Sequence, residues 1–204
     1  MIYLLNNQKF EGVENIPVIK IKFLDEKIDF QGVNYLLFTS KNGVLAVDRL
    51  NKEWQKIPAI CIGKPTAKMV EKLGGKVEYI ANKSYGDELA IEIIQNFKPS
   101  KILFLRAKKI LSKIVTILRD NNFEVIEKVV YQTDCKKIDK IPKKGVFIFT
   151  SPSTIKCFLS QLEWKNEYKA VAIGEKTAEA FPYKIVVSEI QTIENCIKIA
   201  KNML

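Results

Sequence analysis

The feature that most constrains this chain is an internal echo. "FTSKNGV" at 38–44 returns as "FTSPSTI" at 149–155. Each is followed, 24 residues after its Thr, by a Gly in a second matching pair: Thr39 leads to Gly63 of "CIGKPTAKMV", and Thr150 to Gly174 of "VAIGEKTAEA". A spacing held twice to the residue implies two copies of one structural unit. Every echoing segment lies where a short run rich in Ile, Val and Phe hands over to a stretch of helical periodicity. That alternation is the pattern of a parallel sheet flanked by helices.

From residue 35 the alternation is continuous. "YLLFT" precedes a helix at about 41–50, "PAICI" precedes "PTAKMVEKLG", "VEYI" precedes "GDELAIEIIQNF", and "KILFL" precedes "KILSKIVTILRDN"; "FEVIEKVVY" closes the set. These strands and intervening helices make a complete doubly wound unit. A second set runs from 145 to the end through "GVFIFT", "YKAVAI" and "KIVV", which leaves it a strand short. The orphan "MIYLL" at the N-terminus completes it. The fold class predicted is therefore α/β, with two doubly wound parallel-sheet domains, one inserted in the other. The discontinuous domain takes 1–17 and 133–204, the inserted domain 34–125, and 18–33 with 126–132 form a two-stranded linker that could act as a hinge.

Composition narrows the chemistry. With 204 residues, 47% of them hydrophobic, the chain can bury a proper core. No apolar run approaches the roughly 20 residues of a membrane-spanning helix, and "MIYLLNNQKF" lacks the layout of a signal peptide, so a cytoplasmic protein without membrane contact is expected. There is no histidine, which removes Ser-His-Asp and Cys-His nucleophile schemes together with the usual metal ligand. No metal and no cofactor are expected. Cys61, Cys135, Cys157 and Cys196 are widely spaced with no CxxC pair, and read as reduced, mostly buried thiols. The formal charge of +10 comes almost wholly from scattered lysines. They form either a solvated surface or a diffuse attraction for multiply charged anions, and they lack the arginine content and aromatic interleaving of a nucleic-acid reader.

The echoing turns sit at the carboxyl ends of predicted strands, where doubly wound sheets bind ligands. Ser151 is placed as an N-cap with Pro152 as the first helical residue. In "IGKPTA", Gly63 permits the turn, Pro65 opens the helix, and Thr66 sits in its first turn; Gly174 and Thr177 repeat the arrangement. Each turn is a small anion cup of amides, a hydroxyl and a helix dipole, or else simply a cap.

"FTSPSTI" followed by "AIGEKTAEAF", with "VVYQT" at 129–133 upstream, resembles the uroporphyrinogen-III synthase family, as do "LLFTSKNGV", "CIGKPTA", "SYGDELA" and "ILFLRA" in the first half and "NIPVIKIKF" near the start. The resemblance implies two α/β domains joined by a two-stranded ladder. It also implies a cofactor-free, cyclising hydro-lyase reaction of tetrapyrrole (haem) synthesis, in which hydroxymethylbilane loses water and closes to uroporphyrinogen III with its last pyrrole ring inverted. It makes Tyr131 the catalytic group, a weak general acid for the departing hydroxyl. It makes Thr39, Ser40, Thr66, Ser84, Arg106, Ser151 and Thr177 binders of the substrate's carboxylates, with Lys108 as a further anion contact. The implied partner is that small polycarboxylate. A monomer is implied, in transient contact at most with the preceding pathway enzyme. The sequence departs from the family pattern in its N-terminal segment, which lacks an Arg-Pro turn and has room for at most one helical turn, in Ala107, and in Gly43, where Ala is common. The competing reading is a two-lobed protein that binds an anionic metabolite without transforming it.

Overall fold

The computed structural model describes every residue except Ser84, Lys140 and Ile141. In chain order the elements are β1 (Ile2–Leu4), β2 (Val13–Asn15), β3 (Ile19–Phe23), β4 (Tyr35–Phe38), α1 (Lys41–Leu50), β5 (Ala59–Cys61), α2 (Lys64–Lys72), β6 (Val77–Ile80), α3 (Gly86–Asn96), β7 (Lys101–Ala107), α4 (Ile114–Asp120), β8 (Glu124–Cys135), β9 (Gly145–Phe149), α5 (Pro152–Leu159), β10 (Tyr168–Ala172), α6 (Glu175–Ala178), β11 (Val186–Val187) and α7 (Ile193–Asn202). The chain divides into two compact units, one of Met1–Lys20 with Thr133–Leu204 and one of Ile21–Gln132. It passes between them along β3 and β8.

In the Ile21–Gln132 unit the sheet order is β3-β8-β7-β4-β5-β6. β8, β7, β4, β5 and β6 run parallel to one another. β3 runs against β8, because Leu24 N donates to Val130 O and Lys136 N to Val18 O, so residue numbers rise on one strand as they fall on the other. One face packs Phe38, Val44, Val47, Ala67 and Val70 beneath α1 and α2. The other packs Ile60, Phe104, Leu89, Ile93 and Leu118 beneath α3 and α4. Fully buried side chains of this size each contribute roughly 1.5–3 kcal/mol, and burying both faces is what lets strands such as "YLLF" and "KILFL" run apolar without alternation. The chain moves outward from β4 through β5 and β6 on one side, and through β7 and β8 on the other. The order therefore reverses between β4 and β7.

The second unit has the order β11-β10-β9-β1-β2, all parallel, and reverses between β1 and β9. It has one strand more than the sequence reading gave it. Residues 5–12 hold no helical turn. They return as β2, although parallel neighbours usually need a crossover of a dozen residues or more. The Asn15 amide holds this short return by donating to the carbonyls of Asn6 and Gln8, both at 2.8 Å, while Phe10 packs on the Ile2, Leu4 and Ile197 face that α7 covers.

Three further expectations are corrected. Cys135 and Cys157 are joined in a disulfide, leaving Cys61 and Cys196 as buried thiols; a separation of 22 residues carried no sign that strand end and helix meet. α6 is a single turn, because Phe181 dives into a ring cluster with Phe149 and Trp164 and Pro182 follows it. α4 begins at Ile114 instead of 109, and Asp87 Oδ1 accepts from the amide of its N-cap residue, Lys113, at 2.6 Å. No helix among the described residues is long and apolar enough to cross a membrane.

Candidate functional site

In each unit the strand order reverses beside one of the echoing Thr-Ser turns, which is where a doubly wound sheet leaves a crevice at its carboxyl edge. In the Ile21–Gln132 unit, Thr39 and Ser40 leave β4 half-buried. Ser40 takes extended backbone (φ −163°), and its Oγ accepts from Asn42 N at 3.2 Å to cap α1. Gly43, on the first turn, explains how close that helix comes: a Cβ there would stand 2.7 Å from the Leu105 carbonyl oxygen of β7.

Tyr131 reaches this turn through a fault in β8. Arg106 pairs with Val129 but Ala107 with Tyr131, so Val130 is an extra residue. Side chains alternate along a strand. Ile126 and Val130 face α1 and α2, so Tyr131 by alternation would point to the opposite face; yet Val130 and Tyr131 both belong to the α1 side. A bulge re-aims a side chain in this way. The ring is buried (7% exposed), and its hydroxyl is within reach of the Ser40 side chain. Burial raises the phenol's pKa above its ordinary value, with the Ser40 side chain pulling slightly the other way, so the group carries its proton throughout the neutral range.

Thr66, third residue of α2, is buried at the carboxyl end of β5. Gly63 before it has φ 173°, extended backbone open to any residue, so the turn does not require glycine for its dihedral. Arg106 is not turned outward. Its Nε lies 2.7 Å from Glu127 Oε2 as an ion pair off the line of a hydrogen bond. Its guanidinium also donates to the carbonyls of Ala107 and Lys108. Arg119 shares the same carboxylate at 3.3 Å. Exposed cations on this edge include Lys41, Lys64 and Lys108, the first two of which the sequence reading did not single out. Their common place directly after β4, β5 and β7 was the available signal.

In the other unit, Ser151 caps α5 in a reciprocal box with Thr154. Ser151 Oγ accepts from Thr154 N, and Thr154 Oγ1 accepts from Ser151 N, both at 3.3 Å. Thr154 was also missed, although Ser-x-x-Thr at a helix start marks such a box. Thr177 is buried in the one-turn α6. Gly174 has φ −179°, and what favours glycine there is the Gln191 amide, 3.1 Å from where a Cβ would lie. Ser84 lies outside the described residues. A cavity of about 550 Å³ beside Trp164, Tyr183 and Lys184 opens near Tyr168, the first residue of β10, away from the carboxyl edge.

The arrangement in the Ile21–Gln132 unit offers a protonated phenol, hydroxyls, helix N-terminal amides and lysines along one edge, a setting for a multiply anionic substrate that needs a proton donor. Residues 5–198 match the family model described as "Uroporphyrinogen-III synthase HemD". No curated protein matches. Among solved structures, the uroporphyrinogen-III synthetase of Helicobacter pylori 26695 is similar at 26% identity and a TM-score of 0.85, over 100% of this chain and 99% of that one. A mutant uroporphyrinogen III synthase of the extremely thermophilic bacterium Thermus thermophilus aligns over 98% of this chain and 97% of its own, at 13% identity and a TM-score of 0.62. The wild-type Thermus enzyme aligns over 99% and 97%, at 13% and 0.50. At that identity the Thermus structures speak for the fold alone, whereas the family model spans nearly the whole sequence: the chain belongs to the uroporphyrinogen-III synthase family.

Proposed function

We propose that this chain closes linear hydroxymethylbilane to uroporphyrinogen III as a cyclising hydro-lyase, with Tyr131 as its acid. The observation that carries this reading is the bulge after Val129, which brings a buried, protonated phenol to the α1 cap at Ser40. As the substrate's terminal C–O bond breaks, the phenol proton passes to the departing hydroxyl and water leaves. The resulting azafulvenium carbon is attacked by the substituted α-carbon of the last pyrrole, giving a spiro intermediate. The bond from that carbon to its methylene bridge then breaks, and the freed methylene bonds to the ring's unsubstituted α-carbon, which inverts the ring. The proton which that α-carbon loses as the pyrrole regains aromaticity restores the phenol, so the steps balance without a cofactor.

The acid contributes one part of the rate. The larger part is positioning, since holding two ends of a flexible chain together is worth on the order of 7–11 kcal/mol in the best intramolecular cases. Thr39, Ser40 and Thr66 with their backbone amides, and Lys41, Lys64 and Lys108 beside them, are the groups we assign to the substrate's carboxylates, joined by Ser151 and Thr177 of the other unit. Arg106 acts through Glu127 on the β7–β8 register and not as a direct anion contact. We further take the protein to be a cytoplasmic monomer whose contact with the preceding enzyme is at most transient; gel filtration checks the first point.

The test is to generate hydroxymethylbilane in situ, add the protein, oxidise and resolve the porphyrin isomers. Isomer III in excess is the expected result. Isomer I alone, at the uncatalysed rate, overturns the reading in favour of an anionic-metabolite binder.

A further inference from the structure

The chemistry that this function leaves unused is the bond between Cys135 and Cys157. Cys135 is the exposed last residue of β8, and Cys157 is buried in the middle of α5. One turn beyond Cys157, the Gln161 amide grips the same stretch of chain: its oxygen accepts from Ile138 N at 2.9 Å, and its nitrogen donates to Lys136 O at 3.0 Å. Ile138 is buried among Phe158, Ile155 and Val18. Residues 135–138 are thus held to α5 by one covalent bond and two hydrogen bonds.

We propose that Cys135–Cys157 is a reversible thiol–disulfide site, exchanging with low-molecular-weight thiols and disulfides, that latches the chain leaving β8 onto α5. Three features argue for reversibility over a permanent staple. The first is access, since exposed disulfides are the ones open to thiolate attack. The second is charge: exposed Lys136 and Lys137 follow Cys135, and exposed Lys156 precedes Cys157. Neighbouring cations stabilise the thiolate that must leave or attack. The third is return. The Gln161 hydrogen bonds and the Ile138 packing do not depend on the sulfur bond, so an opened pair stays poised to close again. Cys61 and Cys196 do not compete, because burial raises both thiols, Cys61 to about 12.

In closing, the Cys135 thiolate attacks a small disulfide, forming a mixed disulfide and releasing one small thiolate. The Cys157 thiolate then attacks the Cys135 sulfur and displaces the second. The protein loses two electrons and two protons, and the small disulfide gains them as two thiols.

The experiment equilibrates the full chain in glutathione buffers of graded redox poise, quenches with acid, alkylates, and maps the cysteines by mass spectrometry. The expected result is that Cys135 and Cys157 convert together as one two-electron pair, while Cys61 and Cys196 stay as thiols and react only on unfolding. Trypsin should then cleave after Lys136 and Lys137 about tenfold faster in the reduced chain. Cys135→Ser should match the reduced form under every poise. Three results overturn the proposal: Cys135 and Cys157 remaining separate thiols or glutathione adducts in excess oxidised glutathione, a bond that native protein keeps in excess reductant, or cleavage rates that ignore redox state. None of these readouts depends on turnover, so failure of the latch and failure of the synthase reading are separable.

Discussion

Gly43→Ala should destabilise this protein, although it restores the residue common in its family. Gly43 lies in α1 and its φ is not positive. On conformational grounds alone alanine should therefore add about 0.4–1 kcal/mol. Against that stands the contact beneath it. A Cβ would lie 2.7 Å from the Leu105 carbonyl oxygen and 3.3 Å from Phe38 Cδ1. The first of these is backbone of β7, a strand hydrogen-bonded to neighbours on both sides, so the strand cannot yield cheaply and α1 must lift instead. Overpacking of this kind costs about 1–3 kcal/mol. The balance is a net loss of about 0.5–2 kcal/mol, or a fall in Tm of about 1–8 °C for a chain of this size. Urea and thermal unfolding of the purified variant measure it. Because the displaced turn also carries Ser40, isomer III formation should drop about tenfold. A variant as stable as the parent or more so would refute the reasoning, and would mean that α1 slides over β7 without resistance.

Tyr131→Phe should lower isomer III formation by about 10²–10⁴-fold with far less effect on unfolding, since the ring's packing is kept; near-parental turnover would make Tyr131 a packing residue. Ser151→Ala removes half of a capping box and should cost about 1 kcal/mol of stability. A rise in KM much larger than that loss would assign the hydroxyl to substrate instead. Burial raises the Tyr131 phenol, so its contribution to stability is complete below its ordinary value of about 10 and disappears as pH climbs through the raised value. Thermal unfolding between pH 8 and 11 should show an alkaline loss that Tyr131→Phe reduces. Cys135→Ser opens a loop of 22 residues and should cost about 2–4 kcal/mol relative to the oxidised parent, measured by urea unfolding with and without reductant.

Much of the site was legible in the sequence because its parts are local. A hydroxyl before a helix, a proline at the helix start and an apolar run ahead of both fix a strand-to-helix turn within seven residues, and Ser40 and Ser151 cap α1 and α5 as such segments require. The order of strands and helices was legible for the same reason, since hydrophobic period is a property of contiguous residues. What the sequence did not carry was pairing between distant segments. The ion pair of Arg106 with Glu127 was not legible, because its two members lie on different strands. The return of the chain through residues 5–12 into β2 depended on Asn15 at the far end of that strand.

The sequence by itself determined that the chain is α/β, that it holds two related turns at strand ends, and, by resemblance, which family it joins; these follow from periodicity, spacing and motif, which need no third dimension. Tertiary structure alone decided that Tyr131 meets Ser40, that Arg106 faces inward and that Cys135 meets Cys157. The physical reason is that these contacts join residues that the sequence sets far apart, and that for Tyr131 one extra residue in a strand reverses the direction of the side chains beyond it.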